Sequence, residues 1–384
     1  SDTSSTATIL NTADTNTTGI VNTTNLVTIT GDAADVNTVY ASSGFSNLGN
    51  EAVTLTDTTL GASVLNTTNG HTTGVVNAAS VATITGTSTA ITTAYNANTA
   101  GTISGLGNEN LTVSDAITAT VATTLSALVG ATFKPVIPGT ASDYSTVTWI
   151  DANGNTSLLL DPKVTATLST TSVSDLVDNL VGYGHWTINI TDTSASASDL
   201  LYIENLTSVN LDIVNVATVT STAAKINNVA FLYDQTDVTN KGNEAITITD
   251  GSISVANANI IAADTSGIVT ANITETDHST LANLNESGNA YTITVGDSTV
   301  AAANLNTINA ATTVAVTASA ATTITGTASA VITAYNAGSA GEITGLGEEF
   351  VTLDGSTSVA NANTVSGKTT GIVTATITEG DAST

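Results

Sequence analysis

Six aspartates stand where runs of alternating apolar residues end: Asp57, Asp115, Asp192, Asp250, Asp297 and Asp354. A hard cation such as Ca2+ needs several oxygen ligands at once, and stacked loops would gather Asp, Asn and carbonyl oxygens. Asp57, Asp115, Asp250 and Asp297 are therefore candidate metal positions. Asp151, Asn153 and Asn155, in "DANGN", resemble the start of an EF-hand loop. Each also has a plainer reading. A strand-end Asp caps a helix or closes an Asx turn, and Gly31, Gly86 and Gly326 fill the equivalent place elsewhere. In "DANGN" the glycine is displaced, and Pro162 stands where a bidentate acid belongs. Asn153-Gly154 also suits the turn of a β-hairpin. The nonapeptide calcium-roll pattern is absent. Ca2+ is thus an option, and no cofactor is specified outright.

A second pattern is Thr-x-Thr: Thr28/Thr30, Thr54/Thr56, Thr83/Thr85, Thr247/Thr249, Thr292/Thr294 and Thr323/Thr325, with Thr112/Ser114 and Thr376/Thr378 beside them. If these strands stack in one register, the hydroxyls form two columns about 6.7 Å apart with rows about 4.8 Å apart. Such a face resembles those of ice-binding solenoids, or would serve as an adhesive contact. Thr is also simply the polar residue that best suits a strand.

Catalytic chemistry finds little support. His71, His185 and His278 lie at unrelated positions, and His71 replaces Asn16, Ala311 or Lys368 of sister phrases, so it reads as a loop residue. No nucleophile elbow, zincin helix or phosphate loop occurs. Glu51, Glu109, Glu244 and Glu349 recur in "GNE" or "GEE" phrases. A recurring residue argues for a turn in every repeat, whereas an active site needs one unique constellation. The expectation is a protein that is not an enzyme. Asn-x-Ser/Thr sequons, as at Asn16, Asn22, Asn66 and Asn155, arise by chance in a chain this rich in Asn and Thr.

The elements that carry these residues are repeats. "TGIVNTTNLVTITGDAADVNTVY" starts at Thr18, and "TGVVNAASVATITGTSTAITTAY" at Thr73. "TTVAVTASAATTITGTASAVITAY" follows at Thr312. "GNEAVTLTD", "GNENLTVSD", "GNEAITITD" and "GEEFVTLDG" interleave with them. The combined unit is about 27 residues, within the range of stacked repeats. Alternation predicts strands: Val27/Ile29, Val53/Leu55 and Ile246/Ile248 inward, the threonines outward. Ala33, Val36, Val39 and Tyr40 fit about two turns of helix, capped by Asp32, and Thr58 would cap its counterpart. A single unit buries too little, so units must stack on a shared core. The expected fold is mainly β: a right-handed parallel β-solenoid with short helical turns. Repeats fill 1–130 and 182–384. Between them, 131–181 lacks the phrases, holds all three prolines and Trp149, and reads as an insertion or small β subdomain. Both ends fall inside a coil, so the expectation is a segment of a longer array.

Composition excludes several partners. The 384 residues carry 32 acids and 5 lysines, a formal net charge of −27, with no arginine, cysteine or methionine. Phosphate recognition needs cations, so nucleic acid is excluded, and no apolar run approaches the roughly 20 residues of a membrane span. Disulfide and thiol chemistry are unavailable.

The phrase "TTGIVN…TITGDAADVNTVYASSGFSNLGNEAVTLTDTTLGASVLNT" resembles repeats of very large secreted surface proteins of cyanobacteria and other bacteria, S-layer-like and haemolysin-type (RTX-associated) adhesins. The resemblance implies export to the cell surface, assembly there, and calcium. The expected function is an extracellular structural repeat: a surface layer, filament or adhesin stalk. Its partners would be sister copies or flanking repeats, and surface glycan. The alternative is a recognition module, a phage fibre or an ice- or glycan-binding adhesin using the Thr face.

Overall fold

The structure, a computed structural model, describes residues 2–131, 134–136, 148–150 and 161–380. It divides into two compact units. One comprises Ser1–Gly139, Thr146–Thr191 and Tyr202–Asp212; the other comprises Thr140–Ser145, Asp192–Leu201 and Ile213–Thr384. Both are built from short parallel strands in small sheets, with helices between successive strands.

In the first unit one sheet runs Ser4–Thr6, Thr28–Gly31, Ala52–Leu55, Val76–Asn77, Ile103–Ser104. A second runs Thr59–Gly61, Thr83–Gly86, Asn110–Val113, Val164–Thr167, His185–Thr187. Register places apolar residue on apolar residue. Ile29 pairs with Val53, Val53 with Val76 and Val76 with Ile103, and all four are fully buried. Leu60, Ile84, Leu111 and Val164 form the matching row. The second unit repeats the device with Val219, Ile246 and Val269, and with Val300, Ile324, Val351 and Val373. Fully burying each such side chain contributes about 1.5–3 kcal/mol, so these rows, one residue per strand, carry much of the stability.

The chain is mixed α/β, not mainly β. The segments expected as short turns are helices of up to 13 residues, as at Ser88–Ala100 and Ala328–Ala340. The reason is local. They are rich in Ala, and Asp32, Thr87, Thr118, Ser254, Thr327 and Ser358 accept the third amide of their helices as N-caps. In Ala33–Ala41, residues Ala33, Val36 and Val39 are buried as the spacing requires. Val27 departs from expectation: it precedes the strand proper and is 59% exposed. Steps between paired strands and between successive helices also vary. Ser4 faces Thr28 and Thr28 faces Ala52, a step of 24, whereas Asn37 reaches Val64 over 27 positions. Asn side chains bridge successive helices: Asn11 donates to the Asp35 carbonyl, Asn66 to that of Ala90 and Asn306 to that of Ala330.

Part of the expected insertion belongs to the main sheet. Val164–Thr167 pairs directly with Asn110–Val113, and His185–Thr187 follows. Lys134–Val136 and Thr148–Ile150 form a separate antiparallel pair. The predicted turn at Asn153-Gly154 lies outside the described residues.

Candidate functional site

Asp57, Asp115 and Asp250 each reach back to the start of the preceding helix. Asp57 Oδ2 accepts from the Ala33 amide at 2.8 Å, and Asp250 Oδ1 from the Ala223 amide at 3.0 Å. Asp115 takes the Ser88 amide on Oδ1 and the Ser88 hydroxyl on Oδ2, both at 2.7 Å. Burial opposes the charge of Asp115, but the bonds from Ser88 outweigh it and hold the carboxyl below its ordinary range. Glu275 on Val255, Glu379 on Val359 and Thr170 on Ala119 do the same. In each case the receiving residue is the first of its helix, and in all but the short 3-10 turn at Ala223–Lys225 the helix's own N-cap takes the third amide. Two of the orphan donors at the positive end of the helix dipole are thereby satisfied, one of them by the next rung.

Asp297 is the candidate with metal-capable neighbours. Its Oδ2 accepts from the His278 amide at 2.6 Å and lies 3.0 Å from His278 Nδ1. Ligand atoms of Asp277, His278 and Asp297 all lie within 4.8 Å of one another. Among the described residues this is the one such group of three. Two carboxylates and an imidazole suit a divalent cation chemically. Here, however, Asp277 caps its own short helix through Ser279 and Thr280, bonds that lower its pKa to about 2. The amide and imidazole bonds to Asp297 complete the cluster. Asp57, Asp115 and Asp250 are not brought together; each serves a different helix. Asp354 is exposed within Phe350–Thr357. Asp151, Asn153 and Asn155 lie outside the described residues.

The Thr-x-Thr pairs do not share one register. Thr30 faces Thr54, so Thr28 faces Ala52 and Thr56 falls beyond the strand. Thr85 faces Thr112, while Thr83 faces Asn110. Thr247 lies between Thr220 and Thr270, Thr249 beyond its strand. Thr292 faces Asn272, and Thr294 bridges to Thr317. Thr325 faces Thr352, and Thr323 faces Phe350. One hydroxyl column forms in short stretches; the second is interrupted by Ala52, Asn110 and Phe350. His71 is the last residue of a helix and stacks on Tyr40, ring centroids 5.4 Å apart.

The recurring glutamates are buried, at 0, 4, 2 and 3% exposure for Glu51, Glu109, Glu244 and Glu349. Glu51 Oε2 accepts from the amides of Gly49 and Asn50 and from the Tyr40 hydroxyl, at 2.8, 3.2 and 3.1 Å. Glu244 repeats this with Gly242, Asn243 and Tyr233. Glu109 bonds Gly107, Asn108 and Tyr95, and Glu349 bonds Gly347 and Tyr335. These named donors are neutral, and donors aimed at one oxygen are what make a buried carboxylate tolerable. Burial first, and the carboxylate beside them second, push all four tyrosines above their ordinary range. The backbone of the same glutamate meets the next rung. Thr72, Thr265 and Thr369 hydroxyls donate to the carbonyls of Glu51, Glu244 and Glu349 at 2.6, 2.6 and 2.7 Å. A Cβ on Gly74, Gly267 or Gly371 would sit 2.3, 2.2 or 2.1 Å from those carbonyl oxygens. The signal was present in the sequence: a tyrosine stands 11 or 14 positions before each glutamate.

No protein-family model, no curated protein and no solved structure matches this chain. Among the described residues no helix is long and apolar enough to cross a membrane.

Proposed function

We propose that the chain is a length of right-handed parallel solenoid whose role is mechanical: an extracellular repeat that builds a surface layer, a filament or an adhesin stalk. One observation carries the reading. The polar groups that recur (strand-end acids, helix Asn and the Thr–Gly seams) bond one rung to the next, and they do so again and again. A catalyst concentrates unusual groups at one place; a rod distributes the same ones along its length. The acidic surface supports the reading too, since like-charged rods stay soluble until cations bridge them. The likeness of the repeat phrases to secreted bacterial surface proteins points the same way, and the partners on this reading are sister copies or flanking repeats.

Electron microscopy of the purified chain, with and without millimolar Ca2+, tests this. Elongated particles in periodic side-by-side or end-to-end contact are expected, and gold-labelled antibody should decorate intact cells. Compact particles that never associate, or label confined to the cell interior, would overturn it.

A further inference from the structure

We propose that Asp277, His278 and Asp297 hold a divalent transition-metal ion of the zinc type, which ties one repeat of the second unit to the next. Asp277 and His278 open the short helix His278–Leu281, and Asp297 stands 19 positions after His278, ahead of the strand Thr299–Ala301. All three belong to the second unit. Their ligand atoms lie within 4.8 Å of one another, and His278 Nδ1 is 3.0 Å from Asp297 Oδ2. Ligands of one tetrahedral zinc, bound at about 2.0–2.2 Å, stand about 3.3–3.6 Å apart. Only a small closure separates the cluster from that geometry.

Two observations separate this cluster from an ordinary helix cap. The first is that its imidazole is surplus to capping. Ala33, Ser88, Ala223, Val255 and Val359 receive Asp57, Asp115, Asp250, Glu275 and Glu379 on their amides, and none of the five carries an imidazole. At Ala33 two acids meet, Asp32 from its own repeat and Asp57 from the next, and they cap without a histidine. At position 278 the ring is present, partly buried, and set on the same carboxylate oxygen as its own amide. The second observation is that capping uses one oxygen of each acid. Ser279 and Thr280 bond Asp277 Oδ1, while the His278 amide and ring meet Asp297 Oδ2. Among the described residues nothing bonds Asp277 Oδ2 or Asp297 Oδ1. A metal can take those oxygens while the cap stays in place.

The donor set selects the ion. Ca2+ and Mg2+ seek six or more oxygen ligands, whereas this cluster offers three side chains, one of them a nitrogen donor. Imidazole beside carboxylate suits Zn2+ and its neighbours in the first transition row. Three protein ligands with water in the fourth place is a coordination that Zn2+ adopts readily, and Asp277 is exposed, so water reaches that place. The formal charge of −27 draws cations to the chain in general; the imidazole is what distinguishes this position from the other acids. The proposal goes beyond the scaffold role, and its test does not depend on assembly.

The histidines are His71, His185 and His278, so NMR of the intact chain labelled with nitrogen-15 in histidine alone resolves the site. Titration with ZnCl2, and separately with CaCl2, is the experiment. Zn2+ should shift the ring nitrogens of His278 and leave those of His71 and His185 in place, and Ca2+ at the same concentration should move none of them. Calorimetry should show Zn2+ binding that His278→Ala abolishes. Asp277→Asn and Asp297→Asn each keep an oxygen for the capping amides, so the circular dichroism spectrum should be unchanged. Each should nevertheless weaken Zn2+ at least about tenfold, the loss seen even for groups one shell further from a metal. No shift of His278 at millimolar Zn2+, equal shifts at all three histidines, tighter binding of Ca2+ than of Zn2+, or unchanged Zn2+ affinity in the Asp277→Asn, Asp297→Asn double variant would each overturn the proposal.

Discussion

Tyr95→Phe isolates the unit that recurs most faithfully. The Tyr95 hydroxyl donates to Glu109 Oε2, and Tyr95 is 3% exposed. Phenylalanine keeps the ring, so no cavity is made. What is lost is one hydrogen bond to a carboxylate, about 1.5–3 kcal/mol. Water cannot replace it, because Glu109 is itself 4% exposed. The amides of Gly107 and Asn108 remain on the same oxygen, so the group is weakened and not abandoned. A loss of about 2 kcal/mol follows, roughly 30-fold in the unfolding constant. With a urea slope near 2.5 kcal/mol per molar, the midpoint should fall by about 0.8 M. Tryptophan fluorescence suits the measurement, since Trp186 is fully buried in the same unit. In a Glu109→Gln background the hydroxyl still has an oxygen to bond, now neutral, and its removal should cost about 1 kcal/mol. The cycle therefore gives a coupling near 1 kcal/mol. A loss under about 0.5 kcal/mol, or equal losses in the two backgrounds, would refute the idea that tyrosine stabilises the buried charge.

Three further outcomes follow from the geometry. Gly267→Ala drives a methyl into the Glu244 carbonyl and should cost about 3 kcal/mol by overpacking, read as a lowered melting temperature; Gly70→Ala, where nothing lies within 4 Å, should not. Asp57→Ala removes the bond to the Ala33 amide and should cost about 1 kcal/mol; a loss restored by added Ca2+ would mark Asp57 as a ligand instead. Asp264 has its pKa raised to about 6 by burial first and by Asp234 second. Its folded pKa exceeds the unfolded one, so the fold binds the extra proton and stability falls as pH rises from about 4 to 6. Asp264→Asn should abolish that slope in urea titrations and stabilise the protein at pH 7.

Much of the scaffold is readable from the sequence because it is local. The alternation at Val53/Leu55 and Ile246/Ile248, the helical spacing of Ala33, Val36 and Val39, and the cap at Asp32 all state their roles within a few residues. What the repeats do not state is register. Thr28/Thr30 and Thr54/Thr56 look like one pattern, yet the apolar row Ile29–Val53 fixes the pairing and slides the threonines past one another. Burying valine and isoleucine outweighs aligning hydroxyls that water satisfies equally well. The role of the aspartates was half visible. Capping follows from residue type, but which helix is capped depends on the neighbouring rung, 24 or 27 positions away.

The glutamate seams also show how the chain encodes two kinds of junction with one framework. Trp186 and Tyr291 occupy the place that glutamate takes elsewhere. The Ser208 amide reaches the Gly184 carbonyl and that of Thr313 reaches Asn289, as Thr73 reaches Gly49 and Ser266 reaches Gly242. Thr207 and Thr312 donate to the Trp186 and Tyr291 carbonyls as Thr72 and Thr265 do to glutamate, and they also accept the amides of those aromatics. Two residues after the seam threonine, however, glutamate is answered by Gly74, Gly267 and Gly371, and the aromatic by Val209 and Val314. The two positions lie more than twenty residues apart and change together. An aromatic fills the rung interior by itself, whereas glutamate needs a tyrosine from its own rung and a glycine from the next. Building Val into a glutamate seam should therefore fail even though Val is native at the same place two seams away, and Gly267→Val with Glu244→Trp should recover part of what Gly267→Val alone loses. If the double variant is no more stable than the single, the pairing is coincidental and each seam residue answers only to its own strand.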